Sequence, residues 1–262
     1  MYHMVSDVKG NIEKNFVVAP RRFKEQMEFI VNSGYCPVTL DALMQKIDNP
    51  EYALPEKPII ITFDDGYLDN YENAFDILKT LNLPATVFIV ADFIGRTNLW
   101  DFQKGASLRP LMDWSRLENL NDYGIIIGAH TLSHPFLTQL SAAAAKKEIL
   151  HSKKRLEDRL GTSVDHFAYP YGDRNDLIKN LVAEAGFKSA CSVKPGFNNT
   201  HTNPYELRRI EIHATDSIQQ FSFKLANGVN QGSPKELFRQ VTGKMKHQMA
   251  QSKSFLKSLL YR

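Results

Sequence analysis

Cysteine is scarce in this chain, with only Cys36 and Cys191 among 262 residues. Two are too few for a disulfide framework, and no Cys-x-x-Cys pair offers a zinc knuckle or a redox centre, so both read as small buried hydrophobes. Long apolar runs are missing too, which excludes a bilayer-spanning helix. The opening Met1-Tyr2-His3-Met4-Val5-Ser6-Asp7 lacks the basic stretch and apolar core of a signal peptide. As written, the chain is expected in the cytoplasm, or outside it if the true start lies upstream. No internal repeat or low-complexity tract interrupts it.

Charge is nearly balanced at +3 but unevenly placed. From Pro234 to Arg262 there are seven Lys or Arg against one acidic residue, leaving the preceding body at −3. A basic tail on a mildly acidic body argues for an anionic surface as its partner and against a nucleic-acid-binding domain, whose positive charge lies on the folded face. At 43% hydrophobic residues the remainder can bury one large core. The expected domains are therefore a catalytic unit at 1–232 and a basic amphipathic helical tail at 233–262.

Short apolar runs alternate with helical patterns. Strands are expected near Met1–Val5, Ile59–Phe63, Ala85–Val90, Ile125–Ala129, His166–Tyr169, Lys188–Val193 and Arg209–His213. Helices are expected near Pro20–Asn32, Leu40–Ile47, Tyr67–Leu81, Ser115–Asn121, Ser141–Leu160 and Asn175–Ala185. This order specifies an α/β fold with a parallel sheet covered by helices, open or closed into a barrel. A long irregular stretch from Asp92 to Asp113 reads as a lid or substrate-binding loop.

Three segments carry chemistry, each at an expected strand end, where parallel α/β folds collect their ligands. Thr62-Phe63-Asp64-Asp65-Gly66 sets two adjacent carboxylates pointing in different directions, so that one can hold a cation while the other takes a proton. His130-Thr131-Leu132-Ser133-His134 places two imidazoles four residues apart, able to converge on one cation if a helical turn joins them. With one of Asp64 or Asp65 they make a two-histidine, one-carboxylate set that leaves positions for water and substrate, the ligand count of a hydrolytic metal centre. Phe167-Ala168-Tyr169-Pro170-Tyr171-Gly172-Asp173 offers either a loop whose amides face a developing oxyanion or a plain turn with packed aromatics.

In this order and spacing the three segments resemble the polysaccharide deacetylases of the NodB-homology type, carbohydrate esterase family 4, over roughly Met1 to His213. The resemblance implies a distorted (β/α) barrel of about seven parallel strands and one divalent metal ion, zinc in the first place, with cobalt, nickel or manganese as alternatives. It implies Asp65, His130 and His134 as ligands, Asp64 as general base and the Tyr171 backbone amide as an oxyanion donor. Many members brace the catalytic Asp with an Arg where this chain has Ala168, so Arg208 or Arg209 is the candidate replacement. Met1-Tyr2-His3 is similar to the apolar-x-His pattern of the last barrel strand moved to the front, as in the circularly permuted deacetylases of poly-N-acetylglucosamine. That implies His3 as the general acid, with His213 as the alternative.

The expected function is removal of N-acetyl groups from amino sugars of a bacterial surface polysaccharide or its lipid-linked precursor. Its rivals are a deformylase or other C–N hydrolase on a lipid-linked sugar, and a glycan-binding barrel without turnover. In the tail, Ser233 as cap, Pro234 and Glu236 start a helix in which Phe238, Val241, Met245, Met249, Leu256 and Leu260 form one stripe. That stripe fits peripheral contact with an anionic membrane, packing on the barrel or a dimer contact.

Overall fold

The computed structural model describes residues 1–7 and 15–235; the tail stripe from Phe238 onward lies outside the described residues. A five-stranded parallel sheet runs in chain order through β5 (Thr62–Phe63), β6 (Thr86–Ile89), β7 (Ile126–Ala129), β8 (His166–Ala168) and β9 (Ser189–Cys191). Two shorter parallel ladders flank it, β1 (Met4–Val5) on β2 (Val17–Val18), and β3 (Cys36–Pro37) on β4 (Pro58–Ile59). Helices α1 (Pro20–Asn32), α2 (Leu40–Asp48), α3 (Phe75–Thr80), α4 (Leu99–Phe102), α5 (Trp114–Tyr123), α6 (Ala142–Leu160), α7 (Asp176–Glu184) and α8 (Ile218–Asn227) connect and flank the strands.

The strands are short because the sheet curls into a half-barrel, and its seam is closed by single hydrogen bonds in place of full ladders. Leu207 continues the curl beside β9, bridging Cys191 in parallel. Ile212 then donates to the Met1 carbonyl at 3.1 Å, while Tyr2 donates to Thr62 and Asp64 donates to Tyr2. Met1–Tyr2 thus lies between the segment at Ile210–Ile212 and β5. Three of the seven expected strands are corrected by this arrangement, and the first is Ile59–Phe63, which divides between β4 and β5 with Ile60 and Ile61 in neither. The Met1–Val5 run divides between a bridge at Tyr2 and the β1–β2 pair, and Arg209–His213 forms no regular strand, because its amides go to separate partners at Lys194, Asn230 and Met1.

Helix formation follows local chemistry. Pro20 opens α1, whose Phe23, Met27 and Ile30 recur at helical spacing and are buried. Ser141 caps α6 through the Ala144 amide, and Gly161, in the left-handed conformation, ends it. The helix expected over 67–81 starts at Leu68 and widens into a π-helical turn, Asn70–Ala74, before α3. Asn70 and Asn73 there donate side-chain amides to the His3 and Val5 carbonyls, tying the widened turn to the N-terminal strand.

Candidate active site

The three chemistry-bearing segments meet at the carboxyl edge of the sheet. Asp64 and Asp65 follow β5, His130 follows β7, and the loop carrying Tyr171 follows β8. Among the described residues, five that are not glycine have a left-handed backbone, and four of them are Asp65, Thr131, His134 and Tyr171. Such conformations cost about 1–3 kcal/mol each and persist only where the surroundings impose them. Gly66 completes the first turn at φ 78°, and a Cβ there would stand 2.9 Å from Ile89 Cδ1.

The two carboxylates have divided roles. Asp64 is 3% exposed and receives a two-pronged ion pair from Arg209, Nη1 to Oδ1 at 2.6 Å and Nη2 to Oδ2 at 2.8 Å. Burial alone would raise its pKa, but the Arg209 guanidinium, helped by His130 and His3, holds it below the ordinary 3.8. Arg209 also donates to the Ser192 carbonyl, which fixes the guanidinium plane. Arg208, the other candidate brace, turns away to the Pro195 carbonyl. Asp65 points elsewhere: its Oδ1 is buried without a hydrogen-bond partner, with His130 Nε2 at 3.4 Å and His134 Nε2 at 3.2 Å.

Those atoms fit a cation. His130 Nδ1 lies 2.8 Å from the Ala168 carbonyl, an acceptor only, so Nδ1 carries the proton and neutral His130 turns the lone pair of Nε2 toward an anionic oxygen. Two opposed lone pairs need a proton or a positive ion between them. One ligand atom from each of Asp65, His130 and His134 lies within 4.8 Å of the others, all buried. Burial lowers the His134 pKa to about 4, keeping it neutral and competent to ligate; at His130 the neighbouring carboxylates outweigh burial and raise it. For Asp65, contacts with both imidazoles outweigh burial and hold the carboxyl well below 3.8.

The histidines do not converge through a helical turn, as the spacing suggested. They sit in a loop held by Glu148 of α6, whose carboxylate accepts from the Leu132 and Ser133 amides and the Ser133 hydroxyl. Tyr171 joins the site through its hydroxyl, 2.8 Å from His134 Nδ1. The 92–113 stretch supplies Trp100, stacked on His134 at 4.9 Å, and Lys104, which donates to the Tyr171 hydroxyl at 2.5 Å. Glu148, Trp100 and Lys104 escaped the sequence reading. Only the position of the last two in a candidate lid hinted at them.

His3 and His213 have different partners. His3 acts electrostatically on both Asp64 and Asp65, lowering their carboxyls, and its Nδ1 is buried without a partner. His213 pairs with Glu211 at 3.1 Å.

This geometry has known counterparts. The family model described as Polysaccharide deacetylase matches residues 51–190. The chain is 26% identical to the Bacillus subtilis protein YxkH over 215 residues, covering 81% of this chain and 70% of that protein. It is 28% identical to the poly-β-1,6-N-acetyl-D-glucosamine N-deacetylase of Staphylococcus aureus over 207 residues, covering 76% of this chain and 69% of the relative. In fold it is similar to the Streptococcus pyogenes deacetylase PplD, solved with acetate, with a TM-score of 0.74 at 23% identity over 87% of this chain and 95% of that one. With the family match spanning more than half of its length and the Asp-Asp and His-x-x-x-His segments gathered at one sheet edge, the chain belongs to the polysaccharide deacetylase family.

Proposed function

We propose that the protein is a metal-dependent N-deacetylase of a bacterial surface polysaccharide built from N-acetylated amino sugars, or of its lipid-linked precursor. The first substrate class to consider is a β-1,6-linked N-acetylglucosamine polymer. The observation that carries this reading is the split between neighbours: Asp64 is locked in a two-pronged pair with Arg209, while Asp65 Oδ1 faces two imidazole nitrogens and no donor. The relative that acts on that polymer by name supports the substrate class.

In this reading Asp65, His130 and His134 hold one divalent cation, zinc in the first place, which when bound acidifies water and polarises the acyl carbonyl. Asp64 accepts a proton from the attacking water. Arg209 keeps that carboxylate ionised and in a fixed plane, and each oxygen retains a further lone pair for the transfer. As the water oxygen bonds to the acyl carbon, the Tyr171 N–H is the candidate donor to the developing oxyanion, since the loop's Gly172 and Asp173 amides are already spent on the Tyr169 and Pro170 carbonyls. His3 gives its proton to the sugar nitrogen as the C–N bond breaks. Acetic acid and a free amine leave, the acid proton passing to the amine so that they end as acetate and ammonium, and a proton passing from Asp64 to His3 by way of solvent restores the start.

The test is acetate release by full-length, metal-loaded protein from N-acetylated β-1,6-glucosamine oligomers and other N-acetylated glycans. Turnover lost in Asp64→Asn with the cation still bound supports the assignment. Stoichiometric metal with no acetate from any such glycan removes the deacetylase reading. Near-normal turnover in Asp64→Asn removes Asp64 as the base.

A further inference from the structure

The floor of the half-barrel holds a cavity of 480 Å³ that reaches as far as Arg209. Its volume lies within the usual range for small-molecule sites. The exposed lining residues Lys57, Phe197 and Ala226 mark its mouth, while Ile61, Cys191 and Leu207 are buried and make the far wall. Phe197 is 62% exposed, a large aromatic left open beside an apolar hollow.

The charge of the lining is one-sided. Lys57, Arg208 and Arg209 contribute cations, and no Asp or Glu lines the cavity. Arg209 is already committed, since both prongs of its guanidinium go to Asp64. The other two are not. Lys57 donates to the Ser33 carbonyl at 3.4 Å and Arg208 to the Pro195 carbonyl at 3.3 Å, both neutral acceptors, and neither cation makes an ion pair among the described residues. Cations of this kind beside an apolar hollow select a ligand that is apolar along its length and anionic at one end. A sugar would strand its hydroxyls against Leu43, Ile60 and Leu207, whose side chains offer no partner. An alkylammonium would bring a like charge to Lys57 and Arg208. A carboxylate head is best placed with those two, because deeper in the cavity it would lose its hydration and compete with Asp64 for Arg209.

We propose that this cavity binds the alkyl chain of a long-chain amphiphilic acid, a fatty acid being the simplest, with its carboxylate in the field of Lys57 and Arg208. Met1, Tyr2, Ile210 and Ile212, which close the seam of the half-barrel, all line the cavity. A bound chain would therefore brace that closure and raise thermal stability with ligand concentration. This goes beyond the deacetylase reading and stands without it.

Calorimetric titration of delipidated full-length protein with octanoate, decanoate and dodecanoate, each below its micelle concentration, tests the proposal. Affinity should rise about fourfold per methylene until the chain fills the cavity. Dodecyltrimethylammonium should bind about tenfold more weakly than dodecanoate. Affinity independent of chain length, or equal for the two heads, would overturn the proposal. Two variants, each checked for fold by circular dichroism, locate the site. Ala226→Trp places a bulky ring at the mouth from an exposed helix position and should abolish binding; dodecanoate binding unchanged there would put the ligand elsewhere and overturn the cavity. Lys57→Glu with Arg208→Gln should weaken decanoate about tenfold and leave decanol unchanged, and an equal loss for both would remove the two cations from the head site. Phosphatidylglycerol vesicles that bind the parent when dodecanoate does not would assign the cations to a membrane surface and likewise overturn the proposal.

Discussion

At the carboxyl end of the sheet, Asp64, Asp65, His130, His134 and Arg209 are all buried; Asp64, His130, His134 and Arg209 each have a particular polar partner, and Asp65 Oδ1 faces two imidazole nitrogens. Leu43, Ile60 and Leu207 instead line a 480 Å³ cavity that reaches Arg209, and as apolar floor residues they ask of their surroundings only volume and apolarity. A buried charge without its partner costs several kcal/mol, whereas an apolar wall tolerates a change of shape at smaller cost. The rim should therefore be the intolerant end and the floor the permissive one.

The largest expected effect is at the rim. Asp64→Asn should lower acetate release on the order of 10²–10⁴-fold while the cation content, read by elemental analysis, stays that of the parent. Next in size is Arg209→Met, which strands the Asp64 carboxylate in the interior and should cost about 3–5 kcal/mol in urea unfolding. The double variant Asp64→Asn with Arg209→Met removes both charges, so it should recover part of that stability and none of the activity. If the double variant is no more stable than Arg209→Met alone, the pair is not the reason the rim is intolerant.

Acid sharpens the same contrast. The Asp64 and Asp65 carboxyls lie below their ordinary 3.8, so between the folded and unfolded values the unfolded chain binds more protons. Their contribution is present above the unfolded value and is lost as pH falls from about 4 through the folded values. Urea midpoints of metal-free protein should fall over that window, and fall less steeply in the double variant; equal slopes would break the link to Asp64. Smallest is Leu43→Ala on the floor. It enlarges an existing cavity and should cost about 2 kcal/mol, the low end for such truncations. A cost above that of Arg209→Met would reverse the ranking of the two ends.

Much of the fold was legible because periodicity reports burial directly. The α1 helix occupies Pro20–Asn32 as its pattern expects, and α6 runs Ala142–Leu160 within the expected Ser141–Leu160. Short elements were not. Val17–Val18 and Leu99–Phe102 are too brief for a period to emerge, and Tyr67–Leu81 reads as one helix although side-chain bonds to the N-terminal strand widen its first turn. At the site, the residue types, their order and their strand ends were visible. Neither the bracing of the histidine loop by Glu148 nor the stacking of Trp100 on His134 has any pattern along the chain.

By itself the sequence determined the alternation of strands and helices and the placing of Asp64-Asp65 and His130…His134 at strand ends, since these depend on local propensity and spacing. It left open which carboxylate faces the histidines and whether Arg208 or Arg209 holds the other. Tertiary structure decided both. Arg209 meets Asp64 across 145 residues of chain, while Arg208, one position along, faces the opposite way to Pro195. Successive side chains on an extended segment point to opposite sides. Which of them enters the site depends on how the half-barrel closes, and that is set by packing among residues far apart in the chain.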